Sequence, residues 1–265
     1  MNGWTNLVYH ADCMDAIDHL SDCLQEQIRL IYIDPPYFSG TDYSLKKRHP
    51  VSRRRAPSLE DTATYSDRWK GGLDEYLGFI RPRLEAMRPL LRRDGSIWVH
   101  LDWHVSHYVK VLMDEVFGYH NFVNEIIWRR TNSPKKQSRG FGSQHDVILL
   151  YARDGRAFRI KTVYREHDER SLRPYSYEDE RGRFRLIEIE AQGIQRSKGR
   201  RQFEWRGRTA PYLYSREQLD EWWEQGLIYV SRNGRYSKKQ YLDDVPGVPV
   251  SDLWLDIPPI QGTSR

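Results

Sequence analysis

At 265 residues the chain is long enough for one large domain or for one domain carrying a substantial insertion. Lys and Arg number 42 against 37 Asp and Glu, a formal net charge of +5, and the excess gathers in Lys46-Lys47-Arg48, Arg53-Arg54-Arg55, Arg129-Arg130, Lys135-Lys136 and the stretch 196–201. Such clusters are the footprint of a polyanion partner. No apolar run reaches the roughly 18 residues of a bilayer span, no leader pattern opens the chain, and Cys13 and Cys23 make neither a disulfide framework nor a zinc site. These features exclude a membrane-spanning or disulfide-stapled protein and predict a cytoplasmic one.

In chain order, 27–33 (QIRLIYI) is a short apolar run closed by Asp34-Pro35-Pro36, a buried strand ending where proline forbids further pairing. Residues 40–72 carry charge, Pro and Ser with no sustained apolar period and read as a mobile basic loop. Leu77, Ile80, Leu84, Met87 and Leu91 recur at helical spacing, with Pro82 and Pro89 set to bend or split the helix. Asp94-Gly95 turns into a strand over 96–101. Asp102 then caps a helix bearing Val105, Val109, Leu112, Met113 and Val116, which Gly118 ends. Strands at 122–128 and 146–151 flank a basic loop over 130–142, and the alternation is that of an α/β sheet with helices on its faces. From 153 the chain turns polar, arginine-rich and aromatic. A capping box at Ser215-Arg216-Glu217-Gln218 opens a short helix, and Asn233-Gly234 sits between two strands of a hairpin.

The sharpest chemical signal is Asp34-Pro35-Pro36-Tyr37 at the end of a buried strand. Methyl transfer to an exocyclic amine of a nucleobase needs acceptors that aim a poorly nucleophilic nitrogen. Asp34 accepts one N–H, the Pro35 carbonyl accepts the other, and Pro36 stiffens the turn. Tyr37, with Phe38 as the alternative, offers a face on which an extruded base stacks. The plain alternative is that the tetrapeptide only terminates a strand. Lys46, Lys47, Arg48, Arg53, Arg54, Arg129, Arg130, Lys135 and Lys136 are candidates to grip duplex phosphates beside that pocket, and Arg173, Arg196, Arg200 and Arg206 to read base edges. His100, Asp102, His104 and His107 suggest a metal cluster at first glance, but strand-then-helix geometry scatters them, so no metal is expected. No Gly-x-Ser-x-Gly turn supports a hydrolase.

The stretch 30–40 (LIYIDPPYFSG) closely resembles the catalytic motif of amino-methyltransferases of the adenine-N6 and cytosine-N4 type, as do 82–85 (PRLE), 94–102 (DGSIWVHLD) and 112–122 (LMDEVFGYHNF). Together they are similar to the subgroup that includes type III restriction-modification Mod subunits and related orphan methylases. The likeness spans about residues 6 to 260, where 254–259 resembles the segment closing the target-recognition region. It implies an α/β fold, a partial Rossmann-like methyltransferase sheet with helices on both faces plus a mixed α/β target-recognition module. Residues 1–152 would be the catalytic half, 153–250 the recognition module and 251–265 a return segment. S-adenosylmethionine is the implied cofactor, with Asp12 and Asp34 near it, and double-stranded DNA the partner. Asp at position 34 goes with adenine in that family, so the implied product is N6-methyladenine, with cytosine-N4 methylation or a non-catalytic DNA-binding remnant as alternatives. The permuted family order places a Phe-x-Gly-x-Gly cofactor loop last, and no Gly-x-Gly follows a strand in these 265 residues. The expectation is therefore that a partner chain or a further carboxyl-terminal part completes the cofactor site, and that the strand ending at Asp34 shows an unpaired, apolar edge.

Overall fold

The computed structural model describes residues 6–47, 60–132, 140–191 and 202–258, with the side chains of 43–47 and 60–65 excepted. The chain forms two units, residues 1–161 with 251–265, and residues 162–250.

In the first unit α1 (Cys13–Leu24) opens on Asp12, whose side chain accepts the Met14 N–H. Strand β1 (Ile28–Ile33) runs parallel to β4 (Leu91–Leu101), with Ile31 opposite Ile97 and Ile33 opposite Val99. Between them, the segment expected as a loop over 40–72 instead folds as β2 (Asp42–Lys47) paired antiparallel with β3 (Glu60–Ser66). The arms carry Tyr43, Thr62, Thr64 and Tyr65, residues that suit a pleated strand. They lack the apolar alternation that marks a half-buried one. Helix α2 (Gly72–Met87) passes through Pro82 unbroken, whereas Pro89 lies in a 3-10 turn over Arg88–Leu90 that ends it. One lost backbone bond at Pro82 is outweighed by the buried face of Tyr76, Ile80, Leu84 and Met87, at about 1.5–3 kcal/mol for each fully buried large apolar side chain.

After β4, the Asp102 side chain accepts the His104 N–H at 2.9 Å and the turn leads into α3 (Ser106–Met113). The helix expected to run to Gly118 stops at Met113. A single wider turn over Asp114–Gly118 follows, and Gly118 reverses the chain at φ 95°. Strands β5 (Phe122–Arg129) and β6 (His145–Ala152) complete most of the sheet, in which β6 is antiparallel to both β4 and β5. The two-residue β15 (Leu253–Trp254) returns parallel to β5, giving the order β1-β4-β6-β5-β15. Residues 153–161, assigned from sequence to the second module, stay with this unit: the Arg153 N–H donates to the Gly95 carbonyl and Arg93 pairs with Asp154 at 2.9 Å.

The core lies between this sheet and the helices. Ile97, Val99 and Leu101 of β4 and Val147, Leu149 and Tyr151 of β6 pack with the buried residues of α2 and α3. Because side chains alternate along a strand, Trp98, His100, Leu30 and Tyr32 fall on the other face. Among the described residues β1 pairs on one side only, and Leu30 and Tyr32 are 55% and 50% exposed. No helix among the described residues is long and apolar enough to cross a membrane.

The second unit holds a four-stranded antiparallel sheet of β8 (Tyr177–Asp179), β9 (Gly182–Glu188), β12 (Ile228–Val230) and β13 (Tyr236–Tyr241) in the order β12-β13-β9-β8. Short pairs link β7 (Tyr164–Arg165) with β14 (Val248–Pro249) and β10 (Phe203–Trp205) with β11 (Arg208–Ala210). Among the described residues its helices are α4 (Glu169–Leu172) and α5 (Arg216–Glu224), the latter capped by Ser215 as the sequence suggests. The hairpin expected around Asn233-Gly234 joins β12 and β13. Ile189, Trp205, Tyr212, Leu219 and Trp222 make a separate core.

Candidate active site at the carboxyl end of β1

Strand β1 ends at Ile33, so Asp34, Pro35, Pro36 and Tyr37 form a turn at the carboxyl edge of the sheet, where open α/β folds place ligands. Three side chains distant in sequence or across the turn fix it. Tyr76 of α2, fully buried, donates its hydroxyl to the Pro36 carbonyl at 2.8 Å. Asp67, 1% exposed, accepts the Phe38 N–H at 3.0 Å, the Ser39 N–H and hydroxyl at 2.7 Å, and the Trp69 indole N–H at 3.0 Å. Burial pushes the Asp67 carboxyl up, but these donors outweigh it and hold the group below the usual carboxylate range. Phe38 takes φ 61°, a left-handed conformation that a non-glycine residue holds only where its surroundings enforce it. Across the turn the Tyr37 hydroxyl donates to Asp34, and burial together with that bond drives the phenol well above its ordinary pKa.

Asp34 and Tyr37 border two cavities. One, of about 780 Å³, is lined also by Pro35, Pro36, Ser66, Trp69 and Phe79. The other, of about 630 Å³, lies on the opposite side and is walled by Tyr32, His100, Trp128, Arg130 and Asp146. Both exceed the lower bound of small-molecule sites, about 300 Å³, and either admits a purine. In the second cavity Tyr32 bonds His100 Nδ1 at 2.8 Å, and His100 Nε2 lies 3.4 Å from Asp146. Asp146 is also 3.4 Å from Arg130, and Asp34 is 4.0 Å from His100 Nδ1. His100 Nε2 and Asp146 Oδ1 are buried without a hydrogen-bond partner, which leaves polar capacity at the wall.

The expected site residues separate as follows. Asp34, Pro35, Pro36 and Tyr37 come together. Phe38 turns away into the core, its ring 5.9 Å from Tyr76, so of the two aromatic candidates Tyr37 alone borders the cavities. The positive φ at position 38 is what sends its side chain there. Asp12 caps α1 and pairs with Arg83 at 3.0 Å; the Met14 N–H and that guanidinium hold its carboxyl low. Arg83 in turn lies over the Phe79 ring, so two residues stand between Asp12 and the 780 Å³ cavity. Arg129 donates to the Leu255 carbonyl, and Arg130 faces Asp146. Lys46 and Lys47 lie on β2, but their side chains, like all of Arg48, Arg53, Arg54, Lys135 and Lys136, fall outside the described residues. So do Arg196 and Arg200, while Arg206 lies 4.2 Å over the Trp223 ring in the second unit. The His100, Asp102, His104 and His107 set does not converge, since His104 bonds Asp102 at 2.7 Å and His100 faces Asp146. Sequence reasoning missed Asp67, Tyr76, Trp69, Tyr32, Trp128 and Asp146. Strand alternation along β4 was the available signal for His100, and nothing local marks Asp67.

A family described as DNA methylase, of the N6 and N4 type, matches residues 28–254. The type II methyltransferase M.EcaI of Enterobacter cloacae is 30% identical over 233 residues, covering 86% of this chain and 48% of that protein. The StyLTI Mod subunit of a type III restriction-modification enzyme from Salmonella typhimurium is 29% identical over 194 residues, covering 69% of this chain and 29% of its own length. The chain thus spans about half or less of the length of these relatives. A crystal structure of an M1.HpyAVI-SAM complex aligns over 61% of each chain at 14% identity with a TM-score of 0.36. On the family match across 28–254, with Asp34 to Tyr37 inside it, this chain belongs to the N6/N4 DNA methylase family.

Proposed function

We propose that this chain holds the target base of an S-adenosylmethionine-dependent DNA methyltransferase that modifies the N6 amine of adenine in double-stranded DNA. The observation that carries the reading is the placement of Asp34 and Tyr37 on the boundary between two cavities, one for each reactant. The 780 Å³ cavity, with Trp69 and Phe79 as aromatic walls and the Asp34 carboxylate at its mouth, suits a cationic, adenine-bearing cofactor. The opposite cavity, with Tyr37 and Trp128 as aromatic walls and polar groups at its back, suits an extruded base. The cofactor supplies an electrophilic methyl group when bound. Asp34 accepts one amine N–H and the Pro35 carbonyl the other, since the Pro36 carbonyl is already taken by Tyr76. Asp34 and the Pro35 carbonyl would thereby aim the nitrogen lone pair across the boundary at the methyl group the cofactor would supply, and Asp34 or water would take the surplus amine proton. Tyr37 gives up its bond to Asp34 as the base enters.

The one-sided pairing of β1, with Leu30 and Tyr32 exposed beside it, supports a second element of the reading. A further polypeptide segment, from a partner chain or from elsewhere in the same protein, pairs with β1 and completes the cofactor site. The basic residues on 46–54 and 129–136 are assigned to the DNA backbone.

The test is mass spectrometry of nucleosides from DNA treated with the protein and methyl-labelled S-adenosylmethionine. N6-methyladenine, lost in Asp34→Ala, is expected. N4-methylcytosine instead overturns the base assignment, and no methylated nucleoside from the complete protein overturns the enzyme reading. Micromolar cofactor binding and methylation by residues 1–265 alone would show that no completing segment is needed.

A further inference from the structure

At the other end of the same sheet lies a cavity of about 860 Å³ that the methyl-transfer reading does not use. It is reached from the amino end of β1, so about 20 Å of strand separates it from Asp34, at 3.3 Å per residue over six residues. Its walls are cationic. Arg88 enters from the turn after α2, Arg153 from the end of β6, and Arg93 and Arg156 flank them. Of these, Arg93 is neutralised by Asp154 at 2.9 Å. Arg88, Arg153 and Arg156 are within ion-pair distance of no carboxylate among the described residues, although Glu26 also borders the cavity.

Two details distinguish this from a solvated basic face. The Arg88 Nε and the Arg153 Nη1 are both buried and both without a hydrogen-bond partner. Buried guanidinium donors left unsatisfied are costly, and an occupant of the adjoining cavity that draws either fork toward it would relieve that cost. The two cations also repel: burial first, and then the Arg153 charge, hold Arg88 below the usual guanidinium range. Both penalties are removed by one occupant, an oxyanion with several acceptor oxygens set between two planar forks. The floor of the cavity adds rigidity, because Asn121 is tied to the Phe117 carbonyl at 2.7 Å and to the Gly155 N–H at 2.8 Å.

We infer that this cavity is a second ligand site, for the phosphate groups of a small phosphorylated molecule, held by Arg88 and Arg153. A cavity of this volume takes a ligand of nucleoside diphosphate size. DNA presenting a base at Asp34 is disfavoured as the source, because the two openings lie at opposite ends of the sheet. The inference stands independently of the methyl-transfer reading.

The experiment uses inorganic pyrophosphate as probe, with sodium chloride at equal ionic strength as control, on the whole chain. Calorimetric titration and thermal melting are expected to show saturable binding and a pyrophosphate-dependent rise in Tm. Arg88→Met and Arg153→Met should each bind at least tenfold more weakly, while melting without ligand at or above the parent temperature, since each relieves a like-charge contact. Arg153→Lys keeps the charge but loses the fork and should bind several-fold more weakly. Arg181→Met, which removes a cation paired with Asp244 in the second unit, should bind as the parent does. No saturable pyrophosphate binding, binding unchanged in Arg88→Met and Arg153→Met, or an Arg88-dependent affinity for a 12-base-pair duplex but not for pyrophosphate would each overturn the inference.

Discussion

Replacing Asp67 tests whether the Asp34 turn is preorganised from outside its own sequence. The carboxylate receives four donors, of which the Ser39 hydroxyl and the Trp69 indole can turn toward water after Asp67→Ala. The Phe38 and Ser39 backbone N–H groups cannot. At about 1.5–3 kcal/mol for each hydrogen bond to a charged group, their loss amounts to about 3–6 kcal/mol before water relaxes the site. All four donors lie in or next to the turn, so the loss should appear first as local opening. Amide exchange at Phe38 and Ser39 should quicken by about 100-fold or more, the equivalent of about 3 kcal/mol. On the proposed reading methyl transfer should fall with it, because the acceptors assigned to 34 and 35 no longer hold one direction. Asp67→Asn, which keeps one acceptor oxygen, should lie between the two. The pH dependence has a definite sign. The folded-state pKa of Asp67 is lowered, so its stabilisation is present above the unfolded carboxyl pKa of about 3.9 and fades as pH falls through the lower folded value. Urea melts at pH 7 and pH 3 should therefore differ more for the parent than for Asp67→Ala. Exchange rates at Phe38 and Ser39 that do not change on substitution would refute the reasoning.

Gly95→Ala should destabilise by about 1–3 kcal/mol, because the new Cβ would stand 2.8 Å from the Ile28 carbonyl and 3.1 Å from that of Arg29, forcing β1 and β4 apart; chemical denaturation reads it. Tyr76→Phe loses the bond to Pro36 but keeps the ring contacts, so a stability loss of about 1 kcal/mol with a larger drop in kcat than in affinity for DNA is expected from steady-state kinetics. Tyr37→Phe frees Asp34 while preserving the stacking face, and should retain methylation within about tenfold, whereas Tyr37→Ala should lose most of it. Leu84→Ala, at the fully buried centre of α2, should cost about 2–5 kcal/mol in urea titration without altering which nucleoside is methylated.

How much of this was legible beforehand depends on where each signal resides. Strands with contiguous apolar runs, such as β1 and β6, and the helix around Ile80 and Leu84 follow from local periodicity, and the structure places them within a few residues. The β2 and β3 hairpin does not, because Tyr and Thr among charges mark strand propensity only weakly when no face is apolar. Pro82 left a bend or a split equally open, and the helix stays continuous through it because tertiary burial outweighs a single lost bond. The Asp34 to Tyr37 turn could be read as a candidate site from residue chemistry alone. Its support could not: Asp67 is 29 positions from Phe38 and Tyr76 is 40 from Pro36, and spacings of that size carry no periodic signature. Phe38 was the alternative to Tyr37 as the stacking face, but a left-handed backbone at that residue sends its ring toward Tyr76.

The short return strand β15 sets an order of events during synthesis. Trp128 on β5 reaches a backbone partner at Ile257, 129 positions later. At ribosomal rates of about 5–20 residues per second, roughly ten seconds pass between the emergence of the two. For that interval the outer flank of β5 has no neighbour, while residues 162–250 leave the ribosome with a hydrophobic core of their own. Nascent chains halted before residue 253 should therefore carry a folded second unit beside an unfinished sheet, and they are the species most prone to associate with one another.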